Sequence, residues 1–552
     1  MDSSKKKSEA NVLVQGSILA IASMISRVIG LVYRIPLNGI LGNHGMDYYG
    51  AAFEIYNVLL IISAYSLPLA VSKLVSARLS KGQRVNAYRM FKGALILALI
   101  SGGTASLILY FGAPTFTAML KTPLSVFALK VLAPTILVVA VLGVIRGFFQ
   151  GLGTMMPSAV SQIVEQIMNA IVSVAAAFIL FGYGSRIGVV LGNSEDYGAA
   201  YGAAGGTLGT NMGALFGLLF VGFLFLAYKP IFKRQMRRDK SRKRESYSEV
   251  FHVLLWTIVP VLMSTTIYNI SGIIDQGIFK NIATLQGYKA KDISNWWGIF
   301  TGKYKTITNI PISIASAMAA SCVPSLTAAF SVKDKKSVKR QINSSIRFIM
   351  VIAFPCAMGI GVLASPVMQL LFNDSSELAA NMLRAGAISV VFYSMSTLSN
   401  GLLQGINRMK APVRNAAIAL VIHIAFLLML LFGFRLNIYA VIYANAFFAF
   451  VMCVLNAISI KKYSGYRQEV IKTFLIPFLS SAVMGVVIFF VYKGIFYVFP
   501  HNKIVTLIDI GIGAVVYFVA LLLMKGIDEE ELLRFPKGHL LVKIAHKMHL
   551  LR

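Results

Sequence analysis

The chain has 552 residues, 57% of them hydrophobic and only 13% charged, with a mean hydropathy of +0.73. Soluble domains carry about 25% charged residues, so a water-soluble globular fold is excluded, and apolar stretches recur from one end to the other. A formal net charge of +31 raises nucleic acid as a partner, but the placement of the basic residues argues against it.

With about 20 residues needed per span, hydropathy predicts an all-α integral membrane protein of about 14 transmembrane helices. Their centres fall near residues 25, 63, 102, 138, 170, 213, 265, 313, 357, 393, 423, 449, 485 and 515. Lys5–Lys7 precede the first, whose apolar run continues past Leu31 without a small-residue cleavage site, so this helix is expected to stay. With the N-terminus inside, 36 Lys and Arg fall on the cytoplasmic side and 8 on the other. That asymmetry satisfies the positive-inside rule and predicts both termini in the cytoplasm. The basicity is therefore dispersed over membrane-flanking segments, a topology signal and not a nucleic-acid patch.

The first helix carries ISRVIGLVYRIP, in which Arg27 and Arg34 interrupt a run fit for hydrocarbon. Seven residues on a helix are two turns, about 10 Å along the axis on nearly one face. A charge at the bilayer centre costs about 2.5 kcal/mol or more, so the pair is expected to face a polar interior; the plainer reading makes Arg27 an anchor and lets Arg34 reach the interface. In the second helix Glu54 admits two roles, counter-ion to Arg34 or a carboxylate coupled to a proton or cation. Asn57, which follows it, is a candidate for substrate binding, and Lys73, towards the cytoplasmic end, either serves the same cavity or snorkels. In the sixth helix Gly205, Gly209, Gly213 and Gly217 recur every four residues, a close-packing stripe. Asp275, near the outer end of the seventh, is a candidate for ion coupling, though pairing with Lys280 explains it more plainly. In the eighth, TGKYKTITNIP holds Lys303 and Lys305; at spacing two they point in different directions, so at most one faces a shared cavity.

The halves repeat. RGFFQGLGTMMP (146–157) and NGLLQGINRMKAP (400–412) match at Gly147/Gly401, Gln150/Gln404, Gly151/Gly405 and Met155/Met409, a constant offset of 254. Tyr49–Gly50 is paired with Trp297–Gly298 upstream. Six helices plus six predict two parallel, pseudo-symmetric six-helix lobes plus two C-terminal helices, with a substrate path between the repeats. The expected parts are an N-lobe, 1–228; a basic cytoplasmic linker, 229–250; a C-lobe, 251–462; helices 13 and 14, 463–525; and a basic cytoplasmic tail, 526–552.

Enzyme chemistry is not indicated. Cys322, Cys356 and Cys453 read as small core residues. The glycines of 298–304 are one residue short of a phosphate loop, and His44, His252, His423 and His501 are too scattered for a metal, so no cofactor is expected.

SRVIGLVYRIPLNGILG, the GxxQG…M…P motif of both halves and the basic loop after each second helix resemble the polysaccharide-transport branch of the multidrug/oligosaccharidyl-lipid/polysaccharide (MOP) exporter superfamily. The helix count fits its MurJ-like and SpoVB-like bacterial members. The resemblance implies a transporter, not an enzyme: a flippase of the bacterial cytoplasmic membrane that turns an undecaprenyl-diphosphate saccharide outward by alternating access, lipid II above all. Its first helix has two arginines, which Ser26, Arg27, Val28, Ile29 and Gly30 match, with Arg34 displaced by one residue; the loop aspartate looks like Asp47. Family members place another arginine in the second helix, where this chain reads IYNVLL, and an arginine and a glutamate in the eighth, where it offers Lys303, Lys305, Thr306 and Asn309.

Guanidinium groups bind diphosphate oxygens bidentately and stay charged when desolvated. Arg27 and Arg34 are thus expected to hold the diphosphate, with Lys303 or Lys305 closing from the other lobe. Energy would come from the membrane potential, about 2.3 kcal/mol per charge per 100 mV, or from Na+ or H+ at Glu54, Asp275 or Asp47. The partners implied are a lipid-linked oligosaccharide, membrane lipids and cell-wall synthesis proteins. The alternatives are a flippase for another surface polysaccharide or spore-wall precursor, and a drug/cation antiporter of the same superfamily.

Overall fold

The computed structural model describes residues 18–19, 21–237, 239, 244–498, 502–527, 529, 539 and 542–543. Among them there is no strand. Lys5–Lys7, residues 238 and 240–243 of the expected linker and most of the expected tail lie outside the described residues. Eleven helices are long and apolar enough to cross a membrane, or twelve if the bent pair Glu377–Gly386 and Ser389–Gly405 forms one span. Shorter apolar helices, Ile21–Val32 and Tyr247–Val259, stand where the first and seventh spans are expected. Every expected centre falls in helix.

The chain divides into two compact units, residues 1–302 and 303–552. This division falls inside the helical stretch Ala290–Ser331, at the π-helical turn Phe300–Tyr304, and residues 251–302 pack with the first unit.

The first unit contains α1 (Ile21–Val32), α2 (Arg34–Leu60), α3 (Leu67–Leu79), α4 (Arg84–Met119), α5 (Val126–Gly151), α6 (Met156–Val190), α7 (Ser194–Met236), α8 (Tyr247–Asn269), α9 (Ser271–Leu285) and α10 (Ala290–Ile299). Gly42 breaks α2 with φ 63 and ψ −174, a backbone conformation open to glycine and strained for side chains. The first span therefore ends at Leu41. The second starts after Gly42 and runs through the π-helical turn Ile61–Tyr65 into α3.

The glycine stripe does what its spacing predicts. A Cβ on Gly205 would strike the backbone of Ala176, one on Gly209 Ser173 and one on Gly213 the carbonyl of Glu165, so α7 lies directly on α6. Glu245, just before α8, accepts at both carboxylate oxygens from Arg78 Nε, at 2.9 and 3.0 Å, and Asp239 accepts the Val85 amide. Acidic residues of the basic connecting segment thereby strap it to the end of α3 and the start of α4.

The second unit contains α11 (Lys305–Ser331), α12 (Lys335–Val362), α13 (Ala364–Phe372), α14 (Glu377–Gly386), α15 (Ser389–Gly405), α16 (Lys410–Leu428), α17 (Asn437–Ser464), α18 (Ile476–Val498) and α19 (Asn502–Leu523). Here α15 packs against α11, α12 and α17, and α12 also carries α18.

The repeated motif performs one job in each unit. In the first, Gly147 and Gly151 bring α5 onto Pro68, Val71 and Val75 of α3; in the second, Gly401 and Gly405 bring α15 onto Ala319 and Leu326 of α11. The receiving residues match at an offset of 251 (Pro68 with Ala319, Val75 with Leu326). Within the first unit Asn43 Nδ2 donates to Asn295 Oδ1 at 2.7 Å, and Gly50 meets the Thr301 side chain. These contacts run between near-equivalent positions, at offsets of 252 and 251.

Candidate functional site

Tyr33 separates α1 from α2 without breaking the helical track: its amide donates to the Ile29 carbonyl and its carbonyl accepts from the Leu37 amide, both at 3.2 Å. Arg27 and Arg34 therefore lie two turns apart on one continuous helix. Arg27 is exposed and Arg34 half-buried. The electrostatic neighbours of Arg34 are Tyr49, Tyr33 and Glu54. The two tyrosine hydroxyls lie 3.4 Å apart, and Asn169 Nδ2 donates to that of Tyr33 at 3.5 Å, so a polar surface underlies the guanidinium. Glu54 sits against Gly272 of α9, where a Cβ would collide with its carboxylate. Asn57 of α2 and Lys73 of α3 are exposed.

Asp47 has a different role. Its Oδ1 accepts from Lys280 Nζ at 2.5 Å, and each side chain is 1% exposed. This fully buried pair ties α2 to α9 inside the first unit, across 233 residues of sequence. Lys280, expected beside Asp275 and counted as an outer loop cation, is thus taken by the loop aspartate. Asp275 is itself buried on α9.

In the second unit Lys303 belongs to the π-helical turn that precedes α11, and its Nζ donates to Asp374 Oδ2 at 2.6 Å, with side-chain exposures of 9% and 15%. The widened turn also aims Tyr304 at Ser389 Oγ, 2.9 Å away. Lys305 opens α11 and is half-buried, so the two lysines diverge as their spacing requires. Sequence reasoning missed Asp374 as the partner of Lys303; it lies in a polar loop, 71 residues on.

Ion pairs among the described residues include Arg78–Glu245, Arg146–Glu165, Lys280–Asp47, Lys291–Glu195 and Lys303–Asp374. Neither Arg27 nor Arg34 belongs to one. Two permanent cations on an apolar helix, one of them with Glu54 as an electrostatic neighbour, form a surface that can receive an anion.

Serial apolar spans, a duplicated helix-packing motif and embedded cations define a multi-span membrane transporter fold. Solved structures agree. A structure of lipid II flippase MurJ in an inward closed conformation matches over 91% of this chain and 97% of that one, with a TM-score of 0.63 and 17% identity. An inward-facing multidrug resistance MATE family transporter of the MOP superfamily matches over 81% and 100%, with a TM-score of 0.61 and 17% identity. In sequence, the chain is 27% identical to lipid II flippase MurJ of Bacillus subtilis (strain 168) over 92% of its length and 94% of that protein's. It is 23% identical to stage V sporulation protein B of the same organism, over 95% and 98%. Residues 12–330 match the family described as polysaccharide biosynthesis protein, and residues 304–429 match MatE. The chain belongs to the polysaccharide biosynthesis protein family.

Proposed function

We propose that the protein is a flippase of the bacterial cytoplasmic membrane, with both termini inside, that moves an undecaprenyl-diphosphate-linked saccharide to the outer leaflet by alternating access. Lipid II is the substrate favoured by the more identical of the two relatives named above. The observation that carries the reading is the pair of guanidinium groups of Arg27 and Arg34, two turns apart on one apolar track and outside every ion pair among the described residues. A diphosphate needs compensation to enter hydrocarbon, and two planar, permanently charged forks supply it with directional hydrogen bonds. Tyr33 and Tyr49 orient Arg34, and Glu54 balances its charge when no substrate is bound. Lys303 is engaged by Asp374 in this structure, so the clamp is assigned to the arginines. An anion moving outward gains about 2.3 kcal/mol per charge per 100 mV, which gives the membrane potential as driving force.

Outward movement of labelled lipid II in proteoliposomes containing the protein tests this. Transport that rises with an inside-negative potential is the expected result. A folded, correctly inserted protein that moves another undecaprenyl-diphosphate glycan and not lipid II would change the sugar and keep the mechanism. One that moves neither would remove the reading.

A further inference from the structure

Ser23, Arg27, Gly30 and Arg34 follow one another along α1 and into α2 at spacings of four, three and four, so they share one face of the helical track. Inside the first unit that face meets α6. Ser23 Oγ donates to Gln162 Oε1 at 3.1 Å, a Cβ built on Gly30 would lie 3.6 Å from Gln166 Oε1, and Asn169 reaches the Tyr33 hydroxyl. The two helices therefore run side by side in the same direction, and the register sets Arg27, between Ser23 and Gly30, at the level of Gln162 and Gln166. These glutamines are one turn apart and half-buried. The other side of α6 exposes Val160, Ile167 and Ile171, a surface that suits hydrocarbon, so the amides lie on its inner side. Apart from the Ser23 bond, neither amide has a hydrogen-bond partner among the described residues. Unpaired amide groups inside a span are costly, and a purely helix-joining role would use them up.

We propose that Gln162 and Gln166 read the saccharide of the substrate, exchanging hydrogen bonds with hydroxyls of the sugar next to the diphosphate. The proposal rests on the flippase reading above and adds to it the residues that recognise sugar. The chemistry divides by residue type. A guanidinium only donates, which suits phosphate oxygens; a carboxamide both donates and accepts, as a hydroxyl does, and has no charge to compete for the diphosphate. A site built to bond hydroxyls discriminates against a ligand that lacks them, so these two residues set specificity while Arg27 and Arg34 set charge.

Equilibrium binding of two ligands to the full chain in detergent tests this: lipid II, and undecaprenyl diphosphate, which has the same tail and diphosphate and no sugar. The native protein is expected to bind lipid II the more tightly. Gln162→Met/Gln166→Met keeps side-chain length and suits a span. Its affinity for lipid II should fall by about tenfold, as the loss of one or two hydrogen bonds predicts, and its affinity for undecaprenyl diphosphate should stay native. Gln166→Met alone, which breaks no bond of the fold, should show part of the same selective loss. Unchanged thermal unfolding verifies that both variants fold. Equal affinity of the native chain for the two ligands overturns the proposal. So does an unchanged preference for lipid II in the double variant, and so does an equal loss for both ligands, which would make the glutamines structural. In each of those cases undecaprenyl diphosphate still binds the native chain; if the native chain binds neither ligand, the flippase reading itself falls and this proposal with it.

Discussion

The embedded cations fall into two groups. Lys280 and Lys303 each close on one carboxylate at 2.5 and 2.6 Å, while Arg27 and Arg34 share a helix track with tyrosines for company and no ion pair among the described residues. A lysine on its carboxylate is a finished contact. It ties α2 to α9 in the first unit, and the start of α11 to the loop before α14 in the second, and nothing about it invites a ligand. An arginine beside tyrosines and a balancing glutamate is held less tightly than a lysine locked on one carboxylate, and a charge on an apolar helix carries a cost. Residue type is consistent with this division: the compact ammonium suits a single oxygen, and the planar guanidinium suits the diphosphate proposed above.

If this contrast holds, stability and transport should separate. The largest loss is expected for Lys280→Met, which leaves Asp47 buried and uncompensated; breaking a buried pair costs about 3–5 kcal/mol. Thermal unfolding in detergent should show it, and the double variant Asp47→Leu/Lys280→Met should recover much of it. Lys303→Met should cost less, about 1.5–3 kcal/mol for a bond to a charged group, because this pair retains some exposure. Asp374, in the loop outside the spans, adds an acid signature. Burial acts to raise its pKa, yet the bonds from Lys303 and Ser376 prevail and hold it below the usual carboxylate value. Its contribution is therefore complete above the unfolded carboxylate pKa of about 3.9 and is lost as pH falls below that; Lys303→Met should diminish this acid-dependent loss. The smallest effects belong to Arg27→Ala and Arg34→Ala, which strand no fully buried carboxylate, Glu54 beside Arg34 being half-buried, and should shift stability by about 1 kcal/mol or less. A strong destabilisation by either arginine variant would erase the contrast.

Much of this was legible in the sequence, and the limits are physical. Each of the fourteen expected centres falls in helix because the need for about 20 apolar residues is local, although eleven or twelve helices are long enough to span. The Gly205–Gly217 stripe and the Gly147/Gly401 match were readable because close approach of helices demands small residues at fixed spacing. Ion pairing was not. Asp47 and Lys280 are joined by the arrangement of α2 and α9, which no spacing encodes, so the nearer Asp275 drew attention first. The break at Gly42 was invisible because a glycine in a helical run is ordinary until its φ is known. Gln162 and Gln166 were missed although their signal was present: two amides one turn apart in the apolar run SQIVEQIMNAIV are as out of place there as Arg27 and Arg34 are in theirs.

The most direct measurement is outward flipping of labelled lipid II in proteoliposomes by Arg27→Ala and Arg34→Ala, compared with the native chain and with equally folded Lys303→Met. The account predicts transport that collapses in both arginine variants and persists in the lysine variant. Transport unchanged in Arg27→Ala and Arg34→Ala would contradict it, and the two arginines would then be membrane anchors.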